Sequence, residues 1–136
     1  MPRKPKALVL DSWAVLAYLG DEASAQDVAD LISGAHEERI PMCMSVVNAG
    51  EVWYILAREV SEADADKAIT ELANLGIELI DADWPLTRIA ATFKADRKMS
   101  YADCYAAALA KERKSALVTG DKEFKQIEKD VNIRWL

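Results

Sequence analysis

Four short runs of apolar, β-favouring side chains punctuate a chain that otherwise reads as helix. They fall at residues 7–10, 40–44, 77–80 and 116–119, with a fifth, edge-strand candidate at 131–136. The first, Ala-Leu-Val-Leu, carries no polar side chain to mark a wet face, so as a strand it must be covered on both sides. The stretches between the runs repeat their apolar residues at helical spacing. Strands alternating with helices imply an α/β fold with a mostly parallel sheet of four to five strands and helices on both faces.

Capping signals divide the helical stretches. Asp11-Ser12 opens a helix carrying Trp13, Leu16, Ala17 and Leu19, and Gly20 ends it. Asp21 is expected to cap a second helix, in which Val28, Leu31 and Ile32 share a face, with Gly34 closing it. Pro41 points to an edge strand or a strand start. Ser45 caps a helix to about residue 59, and Ser61 with Asp64 forms a capping-box pattern for the next, which Gly76 ends. Asp83 precedes Trp84-Pro85, a helix start with proline in the first turn. Ser100 with Asp103 repeats the capping-box pattern before an Ala-rich helix, and Asp121 opens a short last one.

A chain of 136 residues buries roughly two-thirds of its unfolded surface and needs no disulfide or metal staple. One domain, 1–136, is expected. Seventeen basic against 23 acidic residues give a net charge of −6. That excludes a whole-chain positive field as a grip on nucleic acid, though not a local basic patch. Two cysteines (Cys43 and Cys104) and one histidine (His36) argue against a zinc site, a histidine-based triad and a disulfide framework, and suit a reducing compartment. The basic start, Arg3, Lys4 and Lys6, precedes only four apolar residues before Asp11. That is too short for a signal-peptide core of ~7–15 residues. A soluble cytoplasmic protein with no membrane segment is expected.

In an open α/β sheet, sites form beyond the carboxyl ends of the strands. Asp11 follows the first strand and Asp121 the fourth, after Thr119-Gly120. Asp103 falls in the first turn of a helix, and Glu51 interrupts the apolar series Val46, Val47, Ala49, Val52 and Trp53. Each has a second reading: Asp11 and Asp121 as helix caps worth ~1 kcal/mol, Asp103 as the acidic member of a capping box, Glu51 as a solvent-facing residue. In a parallel sheet all four can converge at one edge. Converging carboxylates repel one another, and a hard cation relieves this. All-oxygen ligation suits Mg²⁺ or Mn²⁺, and such an ion activates water and offsets charge on a phosphoryl group.

Four segments in this order resemble the PIN domain family, and specifically VapC-like toxins of bacterial and archaeal toxin–antitoxin pairs. They are Val9-Leu10-Asp11-Ser12 with the residues to Leu19, Asn48-Ala49-Gly50-Glu51-Val52, Ser100-Tyr101-Ala102-Asp103-Cys104 with the helix behind it, and Leu117-Val118-Thr119-Gly120-Asp121-Lys122-Glu123-Phe124. The resemblance spans essentially the whole chain. It implies a flavodoxin- or Rossmann-like three-layer α/β/α core and a Mg²⁺- or Mn²⁺-dependent endoribonuclease. It places Asp11, Glu51, Asp103 and Asp121 as the acidic quartet that holds the metal. Ser12 and Thr119 stand as the hydroxyl residues beside the first and last acids. Glu123 stands where family members often have a further Asp.

The same resemblance implies an RNA substrate, a VapB-like antitoxin and a homodimer. A catalytically silent PIN-fold module for RNA or protein is the alternative reading. A receiver domain or a haloacid-dehalogenase-type phosphatase also places an Asp after its first strand. The phosphatase pattern wants another Asp where Trp13 stands, and the receiver an acidic pair where Asp11 is followed by Ser12. Lys94, Arg97, Lys98, Lys111, Arg113, Lys114, Lys122 and Lys125, with Arg3, Lys4 and Lys6, read either as phosphate contacts or as a solvated face. Trp13, Trp53 and Tyr54 read as packing, groove or subunit surface, with base stacking as the rival for the two tryptophans.

Overall fold

A computed structural model describes residues 5–136, so Arg3 and Lys4 lie outside the described residues. The chain runs β1 (Leu8–Leu10), α1 (Ser12–Leu19), α2 (Ala25–Glu38), β2 (Met42–Ser45), α3 (Val46–Glu59), α4 (Glu62–Asn74) and β3 (Ile77–Ile80). It continues with α5 (Trp84–Asp96), α6 (Tyr101–Arg113), β4 (Ala116–Thr119), a 3-10 helix (Lys122–Ile127) and β5 (Ile133–Trp135). The five strands form one sheet in the order β3-β2-β1-β4-β5, and every pairing is parallel.

Alternation along the strands splits the core into two layers. Val9, Cys43 and Leu117 face one side, where they meet Leu86, Phe93, Cys104, Leu109 and Phe124 from α5, α6 and the 3-10 helix. Leu8, Leu10, Met42, Met44, Ala116 and Val118 face the other, against Val15, Val28, Ile32, Val52 and Leu72 from α1 to α4. This is the three-layer α/β/α arrangement, and both faces are dry because the strands carry apolar residues on both. No helix among the described residues is long and apolar enough to cross a membrane.

Most caps fall where the sequence puts them. The side chains of Asp11, Ser45, Ser61, Asp83, Ser100 and Asp121 each accept a backbone N–H at the start of the following helix. The second helix departs from expectation. Asp21 has φ 50° and caps nothing, Ser24 precedes the helix without a side-chain cap bond, and Gly34 lies inside it. Arg39, in the left-handed conformation, ends it instead. Apolar contacts through Val28, Ile32 and Ala35 carry the helix past a glycine that costs about 1 kcal/mol. Pro41 does not mark an edge: β2 lies between β1 and β3, and the proline stands just before it, where no ladder N–H is required. His36 sits in the last turn of α2 and bonds the Leu75 carbonyl at 2.7 Å.

From β1 the chain builds outward through β2 to β3, then returns to the other side of β1 for β4 and β5. The gap between β1 and β4 is therefore the switch point of the sheet, where the two halves diverge and leave a crevice at the strands' carboxyl ends.

Candidate active site

Asp11 and Asp121 stand at that switch point because each is the first helix-capping residue beyond a strand. Leu10 pairs with Val118 in register, which sets Asp11 beside Thr119. The Asp11 carboxylate is 1% exposed. Its Oδ1 accepts the Ala14 N–H at 2.8 Å, and its Oδ2 accepts the Thr119 hydroxyl at 2.5 Å. Thr119 Oγ1 in turn accepts the Asp121 N–H at 3.0 Å. One hydroxyl thus joins the first acid to the backbone of the last.

Asp103 enters from the first turn of α6, where Ser100 Oγ accepts its N–H at 3.1 Å. Glu51 enters from α3, partly buried. The charges identify the neighbours. Burial is the main reason the Asp11 carboxyl is pushed up to about 7; the Thr119 and Ala14 bonds pull it back, and the charges of Asp103 and Asp121 push it further up. Asp103 is pushed up to about 6, first by burial and then by the Asp121 charge. Its bond to Ser100 opposes that shift, and the charges of Glu51 and Glu123 add to it. The five acids therefore share one electrostatic neighbourhood, with Asp103 at its middle. The capping readings of Asp11 and Asp121 hold as well, and Ser100 caps the helix that carries Asp103: three helix starts point their partial positive charge at the cluster.

A cluster of carboxylates with oxygen donors only, and little compensating charge, fits a hard divalent cation in kind. In placement it is open. Among the described residues no three His, Cys, Asp or Glu side chains stand close enough to hold an ion between them. Of these acids, Asp11 is held by its two bonds.

Ser12 behaves differently from Thr119. Its hydroxyl touches no carboxylate but donates to the Asn48 carbonyl at 3.2 Å and accepts the Asn48 amide at 3.4 Å. Glu123 is exposed, with Gln126 Nε2 at 3.4 Å from its Oε2. Trp13 is half-buried and its indole lies on Gly120: a Cβ there would come within 2.7 Å of Cζ2 and closer still to two other ring atoms. Gly120 is thus set by close approach of the ring, which packs the loop leading to Asp121. Trp53 donates to Asp66 at 2.9 Å and joins α3 to α4, while Tyr54 is exposed with Arg58 over its ring.

The basic residues do not all gather here. Lys122 and Lys125 lie on the 3-10 helix just beyond Asp121. Lys111, Arg113 and Lys114 end α6, with Lys111 about 12 Å along the helix axis from Asp103, at the end where β4 begins. Arg97 is paired with Asp130 at 3.1 Å, and Lys94 donates to the Met99 carbonyl.

Asn48 is the residue that sequence reasoning passed over as a site member. Its side chain is fully buried between three of the elements just described. The available signal was a lone amide in the apolar stretch from Val46 to Val52.

The PIN domain profile matches residues 8–130 of this chain. Comparison with curated proteins by sequence returned no match. Among solved structures, the chain is similar to the VapBC2 complex of Rickettsia felis bound to a promoter DNA fragment, at 17% identity and TM-score 0.75, over 96% of this chain and 98% of that one. A sarcin–ricin-loop-cleaving VapC toxin of Mycobacterium tuberculosis gives 17% identity and TM-score 0.67, over 88% and 94%. The FitAcB structure from Neisseria gonorrhoeae gives 19% identity and TM-score 0.66, over 93% and 95%. At these identities the likeness is one of fold.

Proposed function

This chain belongs to the PIN domain family, and from that premise we propose that it is a metal-dependent endoribonuclease, the toxin of a VapBC-type toxin–antitoxin pair. The observation that carries the reading is the buried Asp11 at the β1–β4 switch point, burdened by the charges of Asp103 and Asp121 with no basic group among its partners. Asp11, Glu51, Asp103 and Asp121 are the residues that would hold Mg²⁺ or Mn²⁺. The ion would activate water and offset the charge that builds on a phosphodiester under attack.

The chain's own groups do the rest. The Thr119 hydroxyl and the Ala14 N–H fix the Asp11 carboxylate in one rotamer. Asp103 and Glu51 reach the cluster from separate helices, so a cation held between them would offset the negative charge that otherwise repels a phosphate. Asp121 completes the cluster or positions the attacking water, and Glu123 stands within its charge field. Lys122 and Lys125, exposed on the 3-10 helix beyond Asp121, would contact phosphates flanking the scissile bond. A VapB-like antitoxin and a homodimer complete the proposal; several of the similar structures are themselves VapBC complexes.

The open placement of the acids favours one rival, a PIN-fold module that binds without cutting. Incubating purified protein with single-stranded and structured RNAs in Mg²⁺, Mn²⁺ or EDTA separates the two. Cleavage that needs the metal and disappears in Asp103→Asn is expected. Cleavage that persists in EDTA rejects the mechanism, and metal-replete protein that cuts no RNA favours the silent module.

A further inference from the structure

The acids of the cluster sit on elements that have no covalent reason to stay together. Asp11 caps α1, Glu51 rides on α3 and Asp103 on α6. Their charges push these helix starts apart. One side chain opposes that. Asn48, in the first turn of α3 and three residues before Glu51, sends its Nδ2 to the Ala102 carbonyl at 3.0 Å and to Ser12 Oγ at 3.4 Å. Ala102 immediately precedes Asp103, and Ser12 immediately follows Asp11. Ser12 Oγ closes the loop by donating to Asn48's own carbonyl at 3.2 Å. A single buried amide therefore ties the starts of three of the acid-bearing helices, α1, α3 and α6.

The amide is poorly explained as core packing. Its Oδ1 is buried and has no hydrogen-bond partner, a cost of about 1–3 kcal/mol. Removing the whole amide would orphan little: Ser12 Oγ keeps the residue-48 carbonyl, and the Ala102 carbonyl lies in the first turn of α6, where the helix supplies an N–H. An apolar side chain of similar volume would spare the fold the unmatched oxygen. What it would lose is the tie between the helices that carry Asp11, Glu51 and Asp103.

We propose that Asn48 is a positioning residue, a strut that holds together the starts of α1, α3 and α6, so that Asp11, Glu51 and Asp103 stay within reach of one cation against their own repulsion. This rests on the metal-dependent reading above. Groups that orient ligands without touching the metal typically govern affinity by about 10–100-fold.

The test measures Mn²⁺ affinity of the purified full chain by titration calorimetry, with unfolding temperature read alongside. Asn48→Leu is expected to leave the metal-free unfolding temperature within a few degrees or raise it, and to weaken Mn²⁺ binding by about tenfold or more. Asn48→Ala, smaller and easier to accommodate, is expected to weaken Mn²⁺ binding to a similar degree. Thr87→Val is the control. It removes the 2.7 Å bond from α5 to Tyr105 on α6 without touching α1 or α3, and it should leave Mn²⁺ affinity unchanged. Wild-type affinity in both Asn48 variants overturns the strut, as does an equal loss in Thr87→Val. Wild-type protein that binds no Mn²⁺ removes the metal-dependent reading itself, a result distinct from either.

Discussion

Two aspartates show how differently this molecule treats the same side chain. Asp130 lies at the surface, 41% exposed, and has Arg97 at 3.1 Å. Asp11 is sealed at the switch point, and its partners are a hydroxyl and an amide N–H. The cation stands where water already screens the charge; the buried charge has only neutral donors. Stability alone would favour the reverse. An exposed pair contributes little, while an isolated buried carboxylate is costly unless it is neutralised. The region around Asp11 therefore tolerates a penalty that a bound cation would lift, and the region around Asp130 has none to lift.

The sharpest break in that comparison is catalytic. Asp103→Asn or Asp11→Asn should lower RNA cleavage by at least about a hundredfold while circular dichroism stays native. Full activity in either purified variant would remove these acids from the mechanism.

The next effect is on stability and has a definite sign. Burial holds the Asp11 carboxyl at about 7 against an ordinary 3.8, so the folded protein binds that proton more tightly than the unfolded chain. The contribution is whole below pH about 4 and is lost as pH rises through 7. Asp11→Asn removes the charge. It should stabilise the metal-free protein at pH 8, on the order of a few kcal/mol relative to its effect at pH 4. Urea unfolding at both pH values checks this, and a pH-independent difference would contradict it.

Gly120→Ala drives a methyl group into the Trp13 ring and should cost about 1–3 kcal/mol. Trp13→Ala in the same chain should recover part of that loss; no recovery would separate the ring from the glycine. Smallest of all, Arg97→Ala should change stability by less than about 1 kcal/mol. A larger loss would mean that the Asp130 pair holds the segment after α5 as firmly as Thr119 holds Asp11.

Much of the fold was legible because its signals are local. An apolar strand followed by a capping side chain says both where a strand ends and where a helix starts, and Asp11, Ser45, Asp83 and Asp121 all behaved so. Asp21 and Gly34 misled for the opposite reason: the packing of Val28 and Ile32 against the sheet outweighed the local preference of two surface positions. Of the proposed quartet, the meeting of Asp11 and Asp121 was legible, since topology alone brings the ends of β1 and β4 together. Ser12 and Asn48 were not. Both are polar residues in helix first turns, and what each bonds depends on how α1, α3 and α6 cross, which spacing along the chain does not encode. The choice between phosphate contact and solvated face for Lys111, Arg113 and Lys114 could not be read from spacing alone: one helix carries them and Asp103, at opposite ends.

The pairing of β1 with β4 also has a consequence in time. Asp11 and Thr119 are bonded across 108 residues, an interval that takes about 5–20 s to synthesise at ordinary ribosomal speed. Throughout that interval a growing chain carries its first acid without its last. Whatever the assembled carboxylates do, a nascent or prematurely terminated product is spared doing it beside the ribosome that is making it.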